Sequence, residues 1–254
     1  GTLISTNDNR SYLAKMRQGY DGAWSWQMTY THEPHSGGPF YQLYLLLGKF
    51  CRLTGLPLIG GYHIARILGT LFLCWACYYT LIAFVEPPAQ RKLAFWLALF
   101  GSGWGWLWLL LGGGSGLWKM PVDLWVPDGY VWFTALMAPH YAFSHAFLLL
   151  TLGEGLRFVK TGRSVHQLWA ALWLLLTVSQ RPYSILLITL LLGLWLLVEK
   201  WGQWRSLIRE ALRMAWIVLP SVPYLLWVGW LFLHHPVFRE WARQATNPSP
   251  PPWF

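Results

Sequence analysis

Charge is what this sequence has least of. Its 254 residues include 19 Lys and Arg and 10 Asp and Glu, so only 11% are charged, against about 25% in an ordinary soluble domain. A water-soluble globule with so few polar side chains could not cover its own surface. Cysteine is also rare: three residues are too few for a disulfide framework. Cys74 and Cys77 form a C-x-x-C inside an apolar run, where they read as small residues facing a neighbouring helix. No internal repeat or low-complexity stretch stands out. What is plentiful is apolar and aromatic material, at 55% and 18% of the chain, with 20 Trp. That excludes disorder and leaves an integral membrane protein. The formal net charge of +9 must then be placed against a bilayer, and no nucleic-acid partner is expected. The chain opens on Gly1 and ends at Pro252-Trp253-Phe254; a piece of a longer protein is expected.

A spanning helix needs about 20 mostly apolar residues. Residues 62–85, 93–111, 131–156 and 215–233 qualify. Residues 167–198 form a longer apolar block broken at Gln180-Arg181-Pro182, which makes two short spans or a re-entrant pair. Pro220 and Pro223 are placed to kink the last span. The expected fold is all-α: a polytopic bundle of about six spans in one transmembrane domain. Basic residues concentrate in three connections, at Arg91-Lys92, at Arg157, Lys160 and Arg163, and at Lys200, Arg205, Arg209 and Arg213. The positive-inside rule puts these in the cytoplasm, beside anionic lipid. Parity then puts 1–61, 112–130, the Arg181 turn and 234–254 outside. The short run 39–55, closed by Lys49 and Arg52, reads as an amphipathic helix lying in the outer interface.

The few acids sort by side. Asp8, Asp21, Glu33, Asp123, Asp128 and Glu240 fall outside, as do seven of the eight histidines, counting those in the outer halves of spans. Such a gathering on one face suggests a site there. Tyr12, Leu13 and Met16 share a helical face, and Asp8 sits just ahead of that helix, where it suits an N-cap. Glu33 between His32 and His35 is an environment that suits a divalent metal ion, with Glu33 and His35 as ligands. Pro34 breaks the helical spacing a zinc protease needs. Arg181 occupies an external turn, and Pro182 suits the first position of the next helix. A guanidinium beside a helix N-terminus is a phosphate site. His140 and His145 are five apart, about 140° around a helix, and do not share a face.

The order of these features resembles a known family. An acid leads into the helix Asp8-x-x-x-Tyr12-Leu13-Ala14-Lys15-Met16; Gly22 and Trp24 follow, then Glu33-Pro34, the aromatic helix Phe40-Tyr41-Gln42-Leu43-Tyr44, and a span entered with Arg66. This resembles the first external loop of the GT-C membrane glycosyltransferases, closest in pattern to protein O-mannosyltransferases and lipid A aminoarabinose transferases. The likeness covers residues 1–85 in detail. It departs from the family at Asp8, flanked by Asn7 and Asn9 where a paired acid is usual, and in the histidines around Glu33-Pro34. The resemblance implies a sugar transferred from a polyprenyl-phosphate donor on the external face of a cell membrane, bacterial in the simplest case. The acceptor is a lipid, glycan or protein. Asp8 is then the catalytic acid-base group and Glu33 the second carboxylate. Arg181, His32, His35, Tyr12, Asp128 and His140 are the expected substrate contacts. Two other classes stay open. Broken helices suit a transporter or lipid flippase, and the Trp-rich ends suit a non-catalytic membrane subunit.

Overall fold

A computed structural model describes residues 6–101, 103–112 and 129–244; for 6–8 it describes no side chains. All regular secondary structure among the described residues is helical, and the one extended pairing among them is an isolated bridge between Trp26 and Gly38. Among the described residues three helices are long and apolar enough to cross a membrane: Leu58–Phe84, Pro139–Thr161 and Trp204–His234.

α1 (Thr6–Tyr20) and α2 (Gln42–Thr54) lie ahead of the first of these. They approach backbone to backbone. A Cβ on Gly19 would fall 2.0 Å from the Leu45 carbonyl oxygen, and one on Gly48 1.9 Å from that of Met16, so only glycine permits the crossing. The α2 helix is the amphipathic helix expected over 39–55. The Tyr12–Leu13–Met16 face of α1 packs as read, against Tyr44, Cys51 and Tyr62. α3 (Leu58–Phe84) follows.

The apolar run 93–111 folds as two helices, α4 (Pro88–Phe100) and α5 (Gly105–Leu110), rather than one. Gly101 is extended, at φ −60 and ψ 114, and ends α4. The run 131–156 also divides, into α6 (Val131–Leu136) and α7 (Pro139–Thr161). The 167–198 block breaks where Arg181-Pro182 demands it, into α8 (Ser164–Gln180) and α9 (Ser184–Glu199). α10 (Trp204–Val218), a 3-10 turn (Leu219–Ser221) and α11 (Val222–His234) make the last long helix, and α12 (Pro236–Gln244) closes the described chain.

α3 and α7 run side by side in the same direction. Gly69 faces Ala142 and Phe143; further along, Thr80 Oγ1 donates to the Leu149 carbonyl at 2.9 Å, and near their ends Lys160 Nζ donates to that of Ala83 at 2.8 Å. α8 returns along α7, and its Phe158, Leu174, Ile188, Leu192 and Ile217 neighbourhood is a dry core shared by α7 to α10. Many other apolar side chains face outward: Leu71, Trp75, Leu186, Leu190, Trp227 and Trp230 are all exposed. An exterior of this kind suits lipid, where the backbone is satisfied within each helix.

The bundle has two chemically different ends. At the basic end, where α3 and α7 finish, Glu154 is 2% exposed. Its carboxylate accepts from Tyr79 Oη at 2.7 Å and Arg157 Nη1 at 3.0 Å, and it pairs with His166 Nδ1 at 2.6 Å. Arg213 donates to the Gly162 carbonyl at 3.0 Å and pairs with Glu210 at 2.9 Å. The opposite end carries the candidate site.

Candidate functional site

Proline shapes the site. The residue before a proline is pushed out of the helical region, and a proline has no N–H to continue the ladder. Ala138, ahead of Pro139, is extended at φ −99 and ψ 151. Arg181, ahead of Pro182, sits at φ −141 and ψ 84. Each break turns the chain at the same end of the bundle. One delivers His140 and Tyr141 on the first turn of α7; the other delivers Ser179 to Tyr183. Around Pro220 the last helix tightens to 3-10 over Leu219–Ser221, and Tyr224 follows in the first turn of α11.

These residues meet α1 and α2 around a cavity of about 490 Å³, whose walls include Tyr12, Tyr44, His140, Arg181, Tyr224 and Trp241. Arg181 is 8% exposed, and its guanidinium carbon lies 4.6 Å from the centre of the Tyr141 ring. His140 Nδ1 is hydrogen-bonded to Tyr44 Oη at 2.6 Å. Tyr44 in turn stacks on Tyr12, with centroids 4.7 Å apart and planes within 9°. The Tyr224 hydroxyl reaches the carbonyls of Pro39 at 3.1 Å and Ser179 at 3.0 Å, tying the segment ahead of α2 to the α8 break.

A second cation backs this wall. Lys15 is 4% exposed; its Nζ donates to Ser11 Oγ at 2.6 Å and lies 4.0 Å from the Tyr41 ring centre and 4.8 Å from that of Tyr12. Aromatic faces stabilise a desolvated ammonium. Tyr41 pays for its place with strain: at φ 57 and ψ 31 it is left-handed, and no other described non-glycine residue has positive φ. An edge contact with Trp26, at 4.9 Å between centroids, holds it there. Burial pushes the Tyr41 hydroxyl up to about 12, with Tyr30 and Tyr141 adding to the effect. Burial also raises the Tyr44 hydroxyl well above its usual range, reinforced by Tyr12 and Tyr62. Both therefore stay neutral near pH 7 and act as hydrogen-bonding groups, not as bases. Two buried cations and neutral hydroxyls thus stand together in and behind an aromatic wall.

Of the residues singled out by sequence, Arg181, Tyr12 and His140 come together here, although 169 positions separate the outermost two, Tyr12 and Arg181. Asp8 was expected just ahead of its helix. α1 begins at Thr6, so Asp8 lies inside the first turn, where the helix dipole favours an acid. Its side chain lies outside the described residues, as does Asp128 entirely. Glu33 does not line this cavity; it borders a second one of about 440 Å³ with Tyr30, Glu240 and Gln244, and Trp241 stands between the two. His32 is exposed and lines neither.

The expected metal pair does not fit an ion. His35 Nε2 accepts the Met28 N–H at 3.0 Å, which leaves the proton on Nδ1, and Nδ1 donates to the Glu33 carbonyl at 2.9 Å. Neither ring nitrogen has a lone pair to offer, and among the described residues no group of three His, Cys, Asp or Glu is placed to hold a metal. His35 instead helps hold the loop: its ring lies 6.3 Å from that of His235, whose Nε2 contacts Ser36 Oγ at 3.2 Å. Sequence reasoning missed Lys15, Tyr41, Tyr44 and Tyr224. The only signal for Lys15 was its spacing of three from Tyr12 on one helix.

No protein-family model matches the chain, and no curated protein and no solved structure matches it.

Proposed function

We propose that this chain belongs to a multi-pass membrane glycosyltransferase of GT-C type, with about six spans, that moves a sugar from a polyprenyl-phosphate donor to an acceptor on the external face of a cell membrane, a bacterial plasma membrane in the simplest case. One observation carries the proposal: Arg181, Tyr12 and His140 line a single aromatic-walled cavity at the end opposite the basic connections. A lipid-linked sugar phosphate has an anion to pair with Arg181 and an apolar tail to leave along the lipid-facing helices.

In the reaction the acceptor oxygen attacks the anomeric carbon and its proton passes to the Asp8 carboxylate. The bond from that carbon to the phosphate oxygen breaks, and the electron pair leaves on the lipid phosphate. Arg181, in the turn between α8 and α9, stabilises the added negative charge, and the buried Lys15 adds positive potential behind the Tyr12 and Tyr41 rings. His140, fixed by Tyr44, contacts the substrate. Glu33, beyond Trp241, is on the acceptor's side. One face of attack gives inversion. No step runs through a metal.

The test is release of lipid phosphate from a panel of polyprenyl-phosphate sugars in membranes carrying the protein. Release is expected from at least one donor, and Asp8→Asn is expected to abolish it while the protein still accumulates. Full turnover in Asp8→Asn removes the base; no release from any donor removes the transferase.

A further inference from the structure

Beyond Trp241 the surface changes character. The 440 Å³ cavity bordered by Glu33 and Glu240 shares Met28, Thr31 and Glu33 with a neighbouring cleft of about 530 Å³, which runs on to Gln18 and Gln27. The two make one polar trough, and it starts at Trp241, the residue it shares with the Arg181 cavity. Its walls are set before any ligand arrives. The Gln18 side chain clamps the Gln27 backbone twice, donating to its carbonyl at 2.8 Å and accepting from its N–H at 3.0 Å. Trp26, 1% exposed, touches both rings of the trough, Tyr30 at 6.5 Å and Trp241 at 5.5 Å between centroids. A wall fixed in advance costs little to order on binding.

The trough sorts ligands by chemistry. Among the described residues that line it none is Lys or Arg. Arg239 and Arg243 stand close by, but Glu240 engages them at 3.4 and 2.9 Å, so an anion has no cation to pair with in the trough. The exposed Glu33 carboxylate and the Gln244 amide accept hydrogen bonds there. Tyr30, 65% exposed, and Trp241 offer flat aromatic faces. Acceptors beside aromatic faces suit a sugar, whose C–H face packs on a ring while its hydroxyls donate sideways. An extended peptide asks for a free strand edge, and the one extended pairing among the described residues, Trp26 with Gly38, is already made within the loop. We infer that this trough is the acceptor site and that the acceptor is an uncharged glycan, its terminal sugar resting on Trp241, a hydroxyl donating to Glu33, and the chain running on toward Gln27. The attacking oxygen is then a hydroxyl of that terminal sugar. It bonds to the donor's anomeric carbon, its proton goes to Asp8 and the lipid phosphate leaves, so the product is the glycan one sugar longer. This rests on the glycosyltransferase reading and narrows its acceptor from lipid, glycan or protein to glycan.

The probes are neutral oligosaccharides of glucose, mannose or N-acetylglucosamine, offered at increasing length to the purified protein in nanodiscs and followed by saturation-transfer NMR. At least one series is expected to bind, more tightly as it lengthens, with transfer strongest to ring C–H protons. A carboxylated or sulfated counterpart of equal length is expected to bind about ten-fold more weakly. Tyr30→Ala and Glu33→Gln are each expected to weaken the neutral glycan about ten-fold. Tyr30→Ala is expected to leave the Kd for polyprenyl phosphate within about two-fold of wild type, which also reports that the variant is folded. With a donor that releases its phosphate present, the bound oligosaccharide is expected to gain one sugar in mass. No binding of any neutral series, equal affinity at every length, tighter binding of the charged counterpart or of a Ser- and Thr-rich peptide, or neutral binding that either variant leaves unchanged overturns the inference; polyprenyl-phosphate binding that persists alongside leaves the donor site standing. Glycan binding without binding of polyprenyl phosphate overturns the glycosyltransferase reading itself.

Discussion

The two ends of this bundle bury similar groups to different effect. The basic end buries Arg157, at 15% side-chain exposure, and His166, at 21%, against Glu154 at 3%. One carboxylate there takes three donors and joins α3, α7 and α8, so the charges are consumed in holding helices together. The opposite end buries Arg181 and Lys15 against rings: Tyr141 for Arg181, and Tyr12 and Tyr41 for Lys15. Among the described residues that line its cavity none is acidic. A buried charge matched by a charge holds helices together; a buried cation set among aromatic faces is stabilised by the rings.

Removing Glu154 should give the largest effect on stability. Glu154→Ala leaves Arg157 and His166 buried without their carboxylate, at an expected cost of about 3–5 kcal/mol. The check is thermal unfolding in detergent, together with polyprenyl-phosphate binding by the fraction that stays folded. That binding should be unchanged; if it disappears while the fold persists, the two ends are not separate in role. Arg181→Ala should do the reverse. Donor turnover is expected to fall by about 100- to 1,000-fold, with a smaller loss of thermal stability than in Glu154→Ala. Turnover within a few-fold of wild type would make Arg181 an interface anchor.

The smallest effect concerns the loop clasp at the cavity end. Burial, and secondarily the nearby His35, lowers the titration point of His235 below its ordinary range. A base whose folded value is depressed favours folding when neutral. Its contribution is therefore complete above the ordinary value of about 6.5 and is lost as pH falls through the depressed one. The protection of the backbone amides of 237–244, measured as exchange relative to the intrinsic rate at each pH, should fall on going from about pH 7.5 to about pH 5. Equal protection at both values would separate the clasp from His235.

Much of this architecture was legible before the coordinates. Long apolar runs mark the helices because few charged residues interrupt 18 or more positions, and the α1 face through Tyr12, Leu13 and Met16 follows from 3.6-residue periodicity. The Arg181 break was legible because proline acts on its immediate neighbour. The division of 93–111 was not: glycines in an apolar run suit a membrane helix as well as they suit a break. Nor was the fate of His35, since whether its nitrogens are free depends on where the Met28 backbone comes to lie.

The sequence by itself determined that the chain is a helical membrane protein, which residues are basic and on which connections, and where proline must turn it. These are properties of composition and of neighbours along the chain. Tertiary structure alone decided which polar residues share a cavity. Lys15 meets Tyr41, His140 meets Tyr44, and Arg181 lines the same space as Tyr12, because helix crossings at Gly19 and Gly48 and the parallel packing of α3 on α7 bring distant breaks to one end. The worth of a buried charge is set by what stands within a few ångströms of it, and that distance is fixed by packing across the bundle.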